Sequence, residues 1–150
     1  MKYSEGQSGR IFVIRLEDGE ILHEQIESFA QEHKITAASL IAVGGADHES
    51  KIIVGPEQGR SQVINPVQFI LNGVHEITGT GTIFPDKEGN PKLHMHIACG
   101  RGAATHTGCA RSGVKVWHVL EVILYEITGN SSKRLKDPVS GFELLDPSAK

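Results

Sequence analysis

The chain has 150 residues, a net charge of -3, 39% hydrophobic and 22% charged residues, the profile of one globular domain with a sizeable core. No run approaches ~18 consecutive apolar residues, which excludes a transmembrane helix. The 15 Lys and Arg are scattered, which argues against non-specific duplex binding by a lone chain.

Two cysteines make no disulfide framework. Residues 1–9 carry no apolar signal core, so the chain is expected to be cytoplasmic, with reduced thiols.

In chain order, residues 10–16, with Phe12, Val13 and Ile14, read as a half-buried strand ended by the Asp18-Gly19 turn. From Ile21 the apolar period lengthens. Leu22, Ile26, Phe29, Ala30 and His33 recur at helical spacing, while Glu24, Gln25, Glu27 and Gln31 take the other face. That predicts one amphipathic helix of about three turns.

Residues 37–43 form a small-residue strand closed by Gly44-Gly45, and 51–55 form another. Residues 62–71 are extended but interrupted by Pro66, as suits an edge strand or a bend. Within 74–84, Gly79 and Gly81 share one face, where a neighbour comes close to the backbone. The turn at 85–91 leads into a strand from Leu93, a hairpin turn at Gly100-Arg101-Gly102, and a return strand over 105–110. The longest apolar strand is 114–127, with Glu121 at its centre. From 129 the chain is polar until 141–145, a short segment expected to dock on the body.

These elements make about seven or eight strands and one main helix, without βαβα alternation. The expected fold is α+β, a curled and mostly antiparallel sheet with one amphipathic helix. Residues 1–8 are read as a flexible N-terminus, 9–128 as the domain and 129–150 as a C-terminal tail.

The densest chemistry lies on the strand from Leu93. His94 and His96 are separated by one residue, so both side chains point to the same face of a strand. Two neutral imidazoles on one face can converge on one ion. The return strand offers His106 or Cys109 as a third donor. An odd separation puts these two on opposite faces of a regular strand, although a bulge at Gly108 would relax that rule. Either set suits zinc or another divalent transition metal, with a fourth position left for water.

Cys99 reads as a core residue. Glu121, inside an apolar strand, either needs a partner such as Arg111, a histidine or a metal-bound water, or faces solvent or a subunit interface. Asp47 and His75, beside glycines, read either as groups at the mouth of the metal cleft or as loop polarity, whereas His48 reads as loop polarity and His23 and His33 as surface or boundary residues of the helix. No nucleophile elbow, phosphate loop or dinucleotide fingerprint is present.

The order of strand, helix and strand closed by Gly44-Gly45 is followed by HEITGTGTIFPDKEGNPKLHMHIACGRGAATHTGCARSGVKVWHVLEVILYEI. From about Gly9 to Ile127 this resembles the PPC (plant and prokaryote conserved) domain, and the tail RLKDPVSGFELL is similar to the ends of its prokaryotic, stand-alone members. The resemblance implies an α+β domain assembled as a homotrimer. Several prokaryotic members keep a His-x-His pair that His94 and His96 match, with a further His after a glycine on the next strand. Cys109, after Gly108, stands at that position here.

Plant relatives accompany AT-hooks, but this chain has no Arg-Gly-Arg-Pro hook. DNA as a partner therefore rests on the label its prokaryotic relatives carry, and no membrane partner is expected. The function expected is a homotrimer of unestablished activity that binds a transition metal, zinc foremost, through the His-x-His strand. The alternatives are a DNA-associated regulatory protein and a trimerising adaptor without catalysis.

Overall fold

The computed structural model describes residues 1–61, 64–111 and 113–148. Strand β1 (Gln7–Glu17) turns at Asp18-Gly19 into helix α1 (Leu22–Glu32). Then come β2 (Ala38–Ala46), β3 (Lys51–Pro56), β4 (Pro66–Ile70), β5 (His75–Pro85), β6 (Pro91–Arg101), β7 (Ala104–Cys109) and β8 (Val116–Thr128). These eight strands form one sheet in the order β1-β8-β2-β5-β6-β7-β3-β4, with each neighbouring pair antiparallel. A hairpin of β9 (Lys133–Lys136) and β10 (Glu143–Asp146) completes the α+β fold.

Helix α1 covers one face of the sheet. Its buried stripe is Leu22, Ile26 and Ala30, four residues apart as an amphipathic helix requires. The stripe joins Leu40, Met95 and Leu124 from the sheet in one core. Phe29 packs edge-on against Phe12 at 5.2 Å, and His33 lies on Phe29 at 4.2 Å. The helix has no side-chain N-cap; Leu22 N–H instead donates to Val114 O at 2.9 Å, stapling its start to the approach of β8. At the other end Ile35 N–H reaches back to Ala30 O, with Lys34 left-handed at φ 56°, which is a Schellman stop built without glycine.

The paired glycines of β5 have a physical cause. Gly79 lies opposite Ile97, and Gly81 opposite Met95. A Cβ on Gly79 would stand 2.5 Å from Ile97 Cγ2 and 2.7 Å from His96 O. The two β6 side chains thus lie over bare backbone, on the face that α1 covers.

The structure departs from the sequence reading in two places. Gly44-Gly45 does not close β2, which continues to Ala46; the glycines lie where β8 bulges, and Trp117 packs directly on Gly45. The tail contains a strand pair rather than one short segment. Arg134 of β9 donates to Thr82 Oγ1 at 2.9 Å and to Lys92 O at 3.4 Å, which ties the hairpin to β5 and β6. Pro66 opens the edge strand β4, while Gln62 and Val63 lie outside the described residues. Among the described residues, no helix is long and apolar enough to cross a membrane.

One ion pair ties β1 to β8. The Arg10 guanidinium donates to both carboxylate oxygens of Glu126, at 2.8 and 2.7 Å. These bonds, and next the Arg10 backbone N–H, lower the Glu126 carboxyl from 4.5 to about 2. A carboxyl depressed by folding stabilises the protein above its unfolded value and loses that contribution as pH falls towards its folded one. Glu126→Gln should therefore cost about 1 kcal/mol at neutral pH, since solvent screens the half-exposed guanidinium. Denaturation of both proteins across pH should show the gap narrowing between 4.5 and about 2; a gap unchanged at pH 2 would contradict the assignment.

Candidate metal centre

The uncovered face of the sheet carries the histidine pair. Strand alternation in β6 buries Leu93, Met95 and Ile97 beneath the helix and leaves His94 and His96 on the open side. Their rings stand 5.2 Å apart at 78°. In the neighbouring strand Cys109 pairs in register with His96, so its thiol shares that face. The ligand atoms of His94, His96 and Cys109 all lie within 4.8 Å of one another.

His106 is placed elsewhere. The β6–β7 register runs without a shift from His96↔Cys109 to Arg101↔Ala104, so no bulge at Gly108 intervenes. His106 therefore lies opposite buried Cys99, and its ring stacks on Phe69 at 3.9 Å. Cys99 is fully buried, and burial pushes its thiol up to about 11, so it is inert as a thiolate.

Of the surrounding groups, Arg111 is at the cluster: its Nε donates to Cys109 Sγ at 3.3 Å. Glu121 lies on β8, three positions from β6 in the sheet order, between Arg15 and Val43. His75 is buried at the start of β5, its Nδ1 2.9 Å from Gly73 O, whereas Thr82 beside His94 is near the other end of that strand. Asp47 is paired with Lys115 Nζ at 2.7 Å, and the hydrogen bond from that amine lowers its carboxyl. Its place just beyond β2 is at the His75 end of the sheet.

Arg134 joins the cluster from a distant part of the chain. It is a buried guanidinium held by neutral acceptors. Burial, then the positive charges of Arg134, Arg111 and His96, lower the His94 pKa. This favours the neutral imidazole, the form that ligates metals. Sequence gave no direct pointer to Arg134, because its position depends on the docking of a hairpin within a polar tail.

Two openings flank His94. A shallow groove of about 420 Å³ on the open face is lined by Ser39, Thr80, Thr82, His94 and His96. On the other side β7 ends at Cys109 while β6 runs on to Pro91, leaving a notch beside His94. Glu27 of α1 satisfies the Leu93 N–H that β7 leaves without a strand partner, at 2.9 Å. The notch opens into a cleft of about 450 Å³ reached by β3 and by the C-terminal hairpin.

The donor set fits a borderline metal. Zinc takes imidazole at about 2.0–2.1 Å and thiolate at about 2.3 Å, and three protein ligands leave a fourth position open. Two histidines and one cysteine on facing strands supply that combination.

The family model described as the Plants and Prokaryotes Conserved (PCC) domain matches residues 3–128. No curated protein is significantly similar to the chain. Among solved structures, a metal-containing protein of Archaeoglobus fulgidus is similar with TM-score 0.81 and 27% identity, covering 96% of this chain and 98% of the other. A plant- and prokaryote-conserved (PPC) protein of Pyrococcus horikoshii shares the fold with TM-score 0.83 and 24% identity over 97% of each chain. So does a protein of Bacteroides thetaiotaomicron, described provisionally as DNA-binding, with TM-score 0.73 and 17% identity over 95% of this chain and 97% of the other.

Proposed function

Because the chain belongs to the Plants and Prokaryotes Conserved domain family, we propose that it is a cytoplasmic, transition-metal-binding homotrimer whose metal is zinc. His94, His96 and Cys109 are the ligands in this reading. The observation that carries it is the convergence of three donors from two adjacent strands. The metal-containing relative from Archaeoglobus fulgidus supports it.

A bound zinc would supply Lewis acidity at the open position. The chain's own part is to orient and tune. The Arg111 N–H holds the Cys109 sulfur in place, and burial, then the charges of Arg134 and Arg111, favours the neutral form of His94. Thr80 and Thr82 lie opposite His96 and His94 in register and line the groove beside them.

The trimer uses the open sheet face. Ile11, Val13, Ile41, Val43 and Tyr125 are exposed there, and their registers make them neighbours across β1, β8 and β2. A contiguous apolar patch of this kind marks an association surface.

The test is zinc content by mass spectrometry on untagged protein, with light scattering for chain number. One zinc per chain and three chains per particle are expected. After chelation Cys109 should react with a thiol reagent, zinc should protect it, and Cys99 should stay unlabelled. No zinc uptake on reconstitution would defeat the metal reading, and a monomer at micromolar concentration would defeat the trimer. The DNA-associated reading rests on the provisional description of relatives. It predicts duplex binding that weakens steeply with salt.

A further inference from the structure

The cleft beside the metal cluster has the character of a small-molecule site. Its volume of about 450 Å³ falls within the range of ligand pockets. Ile53 and Pro56 of β3, Ile64, Pro66 of β4, and Phe142 and Leu144 of the C-terminal hairpin line it with apolar surface. The polar groups among them are few: His94, Cys109, Arg111 and Glu143. A mostly apolar wall with a few convergent polar groups is the composition that holds an organic ligand in one orientation.

The charges specify its head group. Among the described residues neither Arg111 nor Arg134 makes an ion pair with a carboxylate. Arg134 is spent on Thr82 and Lys92, whereas Arg111 uses its Nε on Cys109. Among the described residues the terminal nitrogens of Arg111 make no hydrogen bond, and guanidinium nitrogens in a fork match a carboxylate. Glu143 sets the upper limit on ligand charge, because its own carboxylate would repel a dianion more than a monoanion.

We propose that this cleft binds a small organic acid, with its carboxylate on Arg111 and its apolar body against Ile53, Pro66, Phe142 and Leu144. The site deepens the metal reading, since His94 and Cys109 border both, yet the contacts named do not need a metal. The C-terminal hairpin then acts as one wall of a binding site. The cleft also opens on the β3 side, away from the apolar patch of β1, β8 and β2, so association through that patch leaves it accessible.

Calorimetry and amide NMR titration with hexanoate and phenylacetate test this, with hexanol and inorganic phosphate as comparisons, on zinc-loaded and chelated protein. Both acids should bind saturably and perturb residues of β3, β6 and the hairpin. Arg111→Gln should weaken them about tenfold, the effect of one lost charge-assisted hydrogen bond. Phe142→Ala should weaken phenylacetate while leaving the amide spectrum of the sheet folded.

Hexanol binding as tightly as hexanoate, or acid binding unchanged in Arg111→Gln, would overturn the proposal. So would phosphate outcompeting both acids, or no acid binding in either form of the protein. Zinc content is measured on the same samples. Protein that holds zinc but no acid refutes the organic-acid site alone, and protein that binds acid but never zinc refutes the metal reading alone.

Discussion

His96→Ala should lower zinc affinity by at least ~100-fold, beyond the 10–100-fold typical of losing a mere supporting contact. Zinc content of the purified variant should fall to near none. His94→Ala should do the same, whereas His106→Ala should hold as much zinc as the unaltered protein. The contrast tests geometry rather than composition, because all three substitutions delete one imidazole. His94 and His96 share the open face with Cys109, while His106 is turned to the other face and stacked on Phe69. Equal zinc content in His96→Ala, or its loss in His106→Ala, would reject this ligand set. Amide spectra of all three variants separate lost ligation from lost folding.

Gly79→Val should destabilise the protein by about 3 kcal/mol, the upper part of the usual range for overpacking. For a chain of this length that is roughly 6–12 °C in Tm. The new Cβ would meet Ile97 Cγ2 at 2.5 Å and the backbone oxygen of His96 at 2.7 Å. A side chain can rotate away from such a contact, but the oxygen belongs to the β5–β6 ladder and moves only with its strand. Gly59→Ala is the control, since among the described residues a Cβ there meets nothing within 4 Å. Thermal and urea unfolding of both variants check the difference; a loss under about 1 kcal/mol at Gly79 would mean that the two strands part easily. Because His96 contributes the crowded oxygen, the surviving folded protein should also bind zinc less tightly.

Much of this architecture follows from the sequence by itself. Alternation of apolar and polar residues places the eight strands of the main sheet, and Leu22, Ile26 and Ala30 at helical spacing place α1. The shared face of His94 and His96 follows from a period of two, and so does the rivalry of His106 and Cys109. Gly79 and Gly81 announce a close approach without saying what approaches.

Only the tertiary structure decided the rest, because it depends on pairing between distant segments. Gly108 is compatible with a bulge or a regular strand, and the continuous register with β6 is what brings Cys109, not His106, beside the pair. Glu121 and His94 fall on the same open face, yet strand order inserts β2 and β5 between their strands. Gly44-Gly45 looks like a stop until β8 bulges against it. Arg134 and Phe142 lie in a polar tail whose local pattern is weak, and they reach the His94 site because their hairpin docks where β7 stops short of β6. Local periodicity fixes which way a side chain points; which side chains meet is fixed by the order and register of the strands.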